Sequence, residues 1–110
     1  MEIPLPVATT DTLPGYTIQR YVGPAFGVIA RSMGFAKGFT GSIKALHHGE
    51  VSEFTGTLEE ARLHAVVRMA EQAKSMGANA VVCLRYDSGD IGEQNGMAEI
   101  VAYGTAVVVA

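Results

Sequence analysis

The chain has few of the side chains that do chemistry. Of its 110 residues one is cysteine and three are histidine. The single thiol, Cys83, can close no internal disulfide, so a reducing, cytoplasmic setting is the expectation. Asp, Glu, Lys and Arg together make up 17% of the sequence, below the roughly 25% of an ordinary globular protein. Eight basic residues against eleven acidic ones give a net charge of −3. That balance excludes the basic footprint of a nucleic-acid binder. No uninterrupted apolar run is longer than Ala106 to Ala110, far short of the roughly 20 residues of a membrane span. Met1-Glu-Ile-Pro4 opens a stretch with no basic residue before Arg20, so no secretory signal is expected.

Signature motifs are missing too. The glycine-rich stretch Gly34 to Gly41 lacks the Gly-Lys-Ser/Thr of a phosphate loop, and no G-x-G-x-x-G occurs. Asp87, Asp90 and Glu93 do not follow calcium-loop spacing, which would place ligands at positions held here by Asp87, Gly89 and Ile91. No Ser-His-Asp set or carboxylate pair presents itself. A non-catalytic protein is expected.

What the chain does have is hydrophobic mass: 48% of residues are apolar, which excludes disorder. The length suits one domain spanning residues 1–110. Residues 1–15 hold Pro4, Pro6 and Pro14 and read as an extended arm ending in a turn at Pro14-Gly15. Tyr16 to Arg31 is strand-like, with a break at Gly23-Pro24. Apolar spacing suggests a short helix over 37–46, followed by a loop.

Residues 58–76 form the clearest helical pattern. Leu58, Ala61, Ala65, Met69, Ala73 and Met76 make one stripe. Thr57 and Glu60 fit a capping box, and Gly77 fits the left-handed C-cap. Ala78 to Tyr86 and Met97 to Val109 then read as strands, joined by a polar loop over 87–96 in which Asn95-Gly96 signals a hairpin. The expected fold class is α+β, a βαββ unit with an antiparallel sheet packed on one long helix.

Both later strands are apolar at odd and even positions alike, so both faces of the sheet should be greasy. One helix covers only one face. A second copy of the chain is the simplest cover for the other, which predicts a homo-oligomer.

His47, His48, Glu50 and Glu53 form the one dense group of metal-competent side chains. Imidazole nitrogens and carboxylates suit Zn²⁺, Cu²⁺ or Ni²⁺. His47, His48 and Glu50 are the candidate metal ligands, although no H-x-x-x-H or C-x-x-C spacing accompanies them. Cys83 lies mid-strand between Val82 and Leu84, where core packing is expected. His64 falls one helical turn after Glu60 and one before Arg68, and an i,i+4 pair with Glu60 explains it without function.

Several ordered stretches resemble the YbjQ-like family of small bacterial proteins, described as heavy-metal-binding. They are Thr9-Thr-Asp-Thr-Leu-Pro-Gly-Tyr16, Glu53-Phe-Thr55 with Glu59-Glu-Ala-Arg62, Ala73-Lys-Ser-Met-Gly-Ala-Asn-Ala-Val-Val82, Arg85-Tyr-Asp87 and Tyr103-Gly-Thr-Ala-Val107. The resemblance covers nearly the whole chain. It implies a βαββ subunit, likened to dodecin, that assembles into a ring, typically a homopentamer that can pair into a decamer. Two positions depart from the family pattern. His47-His48-Gly49-Glu50 stands where the family is Gly-Gly-rich, and Cys83 stands where a small residue follows the Val-Val pair. Non-catalytic metal binding in a ring is the leading expectation. The alternative is a dodecin-like ring holding a small molecule between subunits, against Tyr16, Tyr21, Phe35, Phe39 or Tyr103.

Overall fold

The structure is a computed structural model that describes residues 1–32, 52–91 and 97–110. The elements are β1 (Ile18–Ser32), α1 (Ser52–Ser75), β2 (Ala80–Ile91) and β3 (Met97–Val109). They form one antiparallel sheet in the order β1-β3-β2, with the helix on one face. The α+β class and the βαββ order are those expected from the sequence. The short helix expected over 37–46 and the Asn95-Gly96 turn lie outside the described residues.

Two boundaries differ from expectation. The helix begins at Ser52, so Thr57 lies inside it and is not its N-cap. Gly56 costs about 1 kcal/mol in a helix interior, yet extending a helix that already exists is far cheaper than nucleating one. β2 runs on to Ile91, into what the polar sequence presented as loop. Ser88, Gly89 and Asp90 pair there with Ile100, Glu99 and Ala98 of β3. Turn-forming composition yields to a long partner strand that supplies the ladder hydrogen bonds.

The helix C-terminus follows from its sequence. Gly77 takes φ +94°, Ala78 N–H donates to Ala73 C=O at 3.0 Å, and Gly77 N–H donates to Lys74 C=O at 3.0 Å. This is a Schellman cap, which satisfies the last carbonyls and turns the chain toward β2. The arm ends in a turn closed by Tyr16 N–H donating to Leu13 C=O at 3.0 Å. Gly15 takes φ +85° there, the left-handed position that follows proline in a type II turn.

Alternation along the strands sorts the side chains into two layers. Ala25 and Ile29 of β1, Ile100, Ala102 and Ala106 of β3, and Val81 of β2 face the helix stripe Ala61, Ala65, Met69 and Ala73. Met69 is fully buried, worth about 1.5–3 kcal/mol as a side chain removed from water. The opposite face carries a smaller cluster of Ala80, Val82, Val107 and Val109, partly covered by Leu13 and Ile18.

Candidate functional site

His47, His48 and Glu50, the candidate metal ligands, lie outside the described residues. Among the described residues no group of three or more His, Cys, Asp or Glu could hold a metal ion. The described part of the chain therefore does not fit a metal on its own.

Cys83 departs from the simple core position expected. It is half-buried with a free thiol and sits at φ 58°, where no other described non-glycine residue has a positive φ. The cause is a bulge: Val82 pairs with Thr105 and Arg85 with Tyr103, leaving Cys83 and Leu84 opposite Gly104. A Cβ at Gly104 would lie 2.7 Å from Val81 Cγ1, so the central strand is bare where the bulge crowds it. His64 is partly buried, and its Nδ1 is enclosed with no hydrogen-bond partner among the described residues.

Both sheet edges are covered in part. The N-terminal arm runs beside β2 as a short parallel bridge, Val7 to Val81. Val81 N–H donates to Pro6 C=O at 3.0 Å, Ala8 N–H to Val81 C=O at 2.9 Å, and Cys83 N–H to Thr10 C=O at 2.9 Å. Arg85 Nη1 pins the arm by donating to Thr9 C=O at 2.9 Å. On the other edge, Phe26 N–H donates to Gln72 Oε1 at 2.6 Å, and Arg68 Nη1 donates to Val28 C=O at 3.1 Å. Helix side chains one turn apart thus occupy strand-edge groups that could otherwise pair with another chain.

The second face of the sheet is open toward the β1 end. Phe26 and Val28 are 49% and 44% exposed, and their cross-strand neighbours are Tyr103, 39% exposed, and Val101. Tyr21 and Tyr16 are also exposed. Aromatic and branched side chains paired in this way form a continuous apolar strip.

On the helix side, the arm, α1 and β2 line an open cleft of about 420 Å³. Ile3 and Val7 form its arm wall, Leu63 and Val66 its helix wall, and Leu84 its strand wall. Glu59, Arg62 and Tyr86 supply its polar groups. The Arg62 guanidinium lies 5.4 Å from the centre of the Tyr86 ring, within cation–π range. Burial raises the Tyr86 phenol above the ordinary tyrosine value, and the Arg62 charge pulls it part of the way back. Sequence reasoning missed this cleft. No local pattern marks Glu59 and Arg62 as site residues, because the cleft forms only through the long-range approach of the arm.

Comparison with known proteins bears on the whole chain. It is 48% identical over 109 residues to a UPF0145 protein of Bradyrhizobium sp., covering 99% of this chain and 96% of that one. It is 44% identical to a UPF0145 protein of Saccharolobus islandicus, covering 94% and 90%. A UPF0145 protein of Burkholderia multivorans is 43% identical, covering 94% and 84%. Among solved structures, a protein of unknown function from Pediococcus pentosaceus, of the DUF74 family, superposes with a TM-score of 0.52. It is 16% identical, over 96% of this chain and 98% of that one, and shows a shared fold. A family model described as "Putative heavy-metal-binding" matches residues 5–110, and with relatives of this identity along nearly its full length, the chain belongs to the YbjQ-like family.

Proposed function

We propose that the protein is a non-catalytic, ring-forming homo-oligomer that binds a soft or borderline transition-metal ion, Zn²⁺, Cu²⁺ or Ni²⁺, through His47, His48 and Glu50. One observation carries the self-association. The sheet leaves Phe26, Val28 and Tyr103 uncovered on its second face, while helix and arm groups occupy parts of both edges. A second copy of the same chain is the partner that buries such a strip by symmetry, and the family resemblance makes a homopentamer the assembly to look for. The metal reading is supported by the family's description and by donor chemistry, since imidazole and carboxylate together suit these ions. The proposed donors are His47, His48 and Glu50, shared between copies where symmetry brings them together. The lone thiol supports a reducing, cytoplasmic setting.

Native mass spectrometry of tag-free protein, with and without Zn²⁺ and a chelator, tests both halves. A five- or tenfold assembly carrying chelator-sensitive metal is expected, and His47→Ala with His48→Ala should release the metal without dissolving the ring. A monomer would overturn the assembly. No binding of any of the three ions tighter than about 0.1 mM would overturn the metal site.

A second reading, an intersubunit small-molecule ring, is favoured by the exposure of Tyr16, Tyr21 and Tyr103. A co-purifying organic mass in the native assembly would support it over the metal.

A further inference from the structure

The cleft between the arm, α1 and β2 is open to solvent, with Ile3, Leu63 and Tyr86 42%, 40% and 41% exposed, yet it is large enough to seat a small molecule. Its volume of about 420 Å³ falls in the range of ligand pockets, roughly 300–1,000 Å³. Five of its side chains, Ile3, Val7, Leu63, Val66 and Leu84, are apolar and come from three separate elements. The polar groups stand to one side. Glu59 and Arg62 are three residues apart on one helix, which makes them neighbours along one face with their Cβ atoms about 5–6 Å apart. Arg62 does not close an ion pair onto Glu59. Its guanidinium rests over the Tyr86 ring instead, leaving its N–H groups to meet an acceptor. A carboxylate and a guanidinium thus sit side by side above an apolar floor, and each retains capacity for a ligand.

Charge decides the ligand class. A simple organic acid would satisfy Arg62 but bring its carboxylate against Glu59. An amine would do the reverse. A molecule with both charges on neighbouring atoms and an apolar body satisfies every lining group at once. We propose that this cleft binds a free apolar α-amino acid as its zwitterion, with the carboxylate on Arg62 and the Tyr86 hydroxyl, the ammonium on Glu59, and a branched or aromatic side chain against Leu63, Val66 and Leu84. The phenol, protonated at neutral pH, is available as a hydrogen-bond donor. The arm is one wall of the site, so occupancy should also tighten the arm against β2. None of the residues involved is a proposed metal ligand, and the two readings stand or fall separately.

The test is a two-dimensional amide NMR titration of the full chain, pre-treated with chelator, using L-leucine and L-phenylalanine. The matched probes 4-methylpentanoate and isopentylamine each lack one charge. Saturable shifts are expected for the amino acids at residues 59–66, 84–86 and the arm, with at least about tenfold weaker binding of the acid and the amine. Arg62→Gln and Glu59→Gln should each weaken amino-acid binding by about tenfold or more. Leu63→Ala should weaken leucine binding without altering the preference for the zwitterion. Absence of saturable shifts in the wild-type chain up to about 10 mM would overturn the proposal. So would equal affinity for the acid and the amino acid, which would make this an organic-anion site. The wild-type probe series decides the matter even where a variant fails to fold, and metal binding by the same sample is read independently.

Discussion

Asn79 and Val109 exchange two hydrogen bonds: Asn79 Nδ2 donates to the Val109 carbonyl at 2.9 Å, and Val109 N–H donates to Asn79 Oδ1 at 2.8 Å. The side-chain amide imitates strand main chain at the point where the chain leaves the helix cap. The Asn79 main-chain N–H adds a third link, donating to Val107 C=O at 3.0 Å. Together these fix the start of β2 against the end of β3. Asn79→Ala should cost about 1–3 kcal/mol, because both main-chain groups of Val109 lose a partner in a partly buried setting. Asn79→Asp should cost more at neutral pH, since it turns a donor into a charged acceptor facing a carbonyl. Urea unfolding of the two variants checks the order, and an Asp variant as stable as wild type would contradict it.

Gly27 sets the distance between helix and sheet. A Cβ there would collide with the Ala65 carbonyl oxygen and lie 2.5 Å from Met69 N, both backbone atoms. No rotamer change relieves such a clash, so the helix must move. Gly27→Ala should lose about 3 kcal/mol, the upper end of overpacking costs. Gly56 is the internal control: it lies within α1, and nothing approaches within 4 Å of a Cβ built there. Gly56→Ala should gain about 0.5–1 kcal/mol from helix propensity alone. Thermal melts of the pair should move in opposite directions.

Cys83 occupies a conformation better suited to glycine. A left-handed backbone costs an L-residue roughly 1–2 kcal/mol, and β-branching makes it worse. Cys83→Gly should therefore be at least as stable as wild type despite losing a half-buried side chain. Cys83→Val, which suits an ordinary core strand, should be less stable by about 1–2 kcal/mol. If Val were the better tolerated of the two, the bulge would not have the backbone described.

What was legible in the sequence divides along the range of the interactions involved. The centre of the α1 stripe (Ala61, Ala65, Met69, Ala73), the Gly77 cap, the Pro14-Gly15 turn and all of β3 rest on local pattern and are found where the pattern placed them. Leu58 at one end of the stripe is exposed, and Met76 at the other lies past the end of the helix. The greasy second face was legible too, because alternation within β3 is a local property. The bulge at Cys83 was not. It depends on a crowded crossing with Gly104, a residue 21 positions away whose role appears only once the register is set. The extra length of β2 was hidden for the same reason, and so was the cleft, which needs residues 3 and 7 to meet residues 59–66 and 84–86. The metal candidates were read from side-chain type alone, and the described residues bring no comparable donor group together.

Tyr86 offers a spectroscopic handle on the cleft. Its phenol is raised above the ordinary value of 10.0, first by burial, with the Arg62 charge acting in the opposite sense. A raised folded-state pKa means that folding favours the protonated form. Its contribution is fully present below the unfolded value near 10 and is lost as pH rises through the folded value. The near-ultraviolet phenolate signal of wild type minus that of Tyr86→Phe isolates this one group, and its midpoint should lie above 10. Arg62→Gln should move the midpoint further up, since removing the cation removes the force that favours phenolate. In urea unfolding, the stability of wild type relative to Tyr86→Phe should be flat below about pH 10 and fall beyond it. A midpoint at or below 10 would mean that burial of the ring does not outweigh the Arg62 charge.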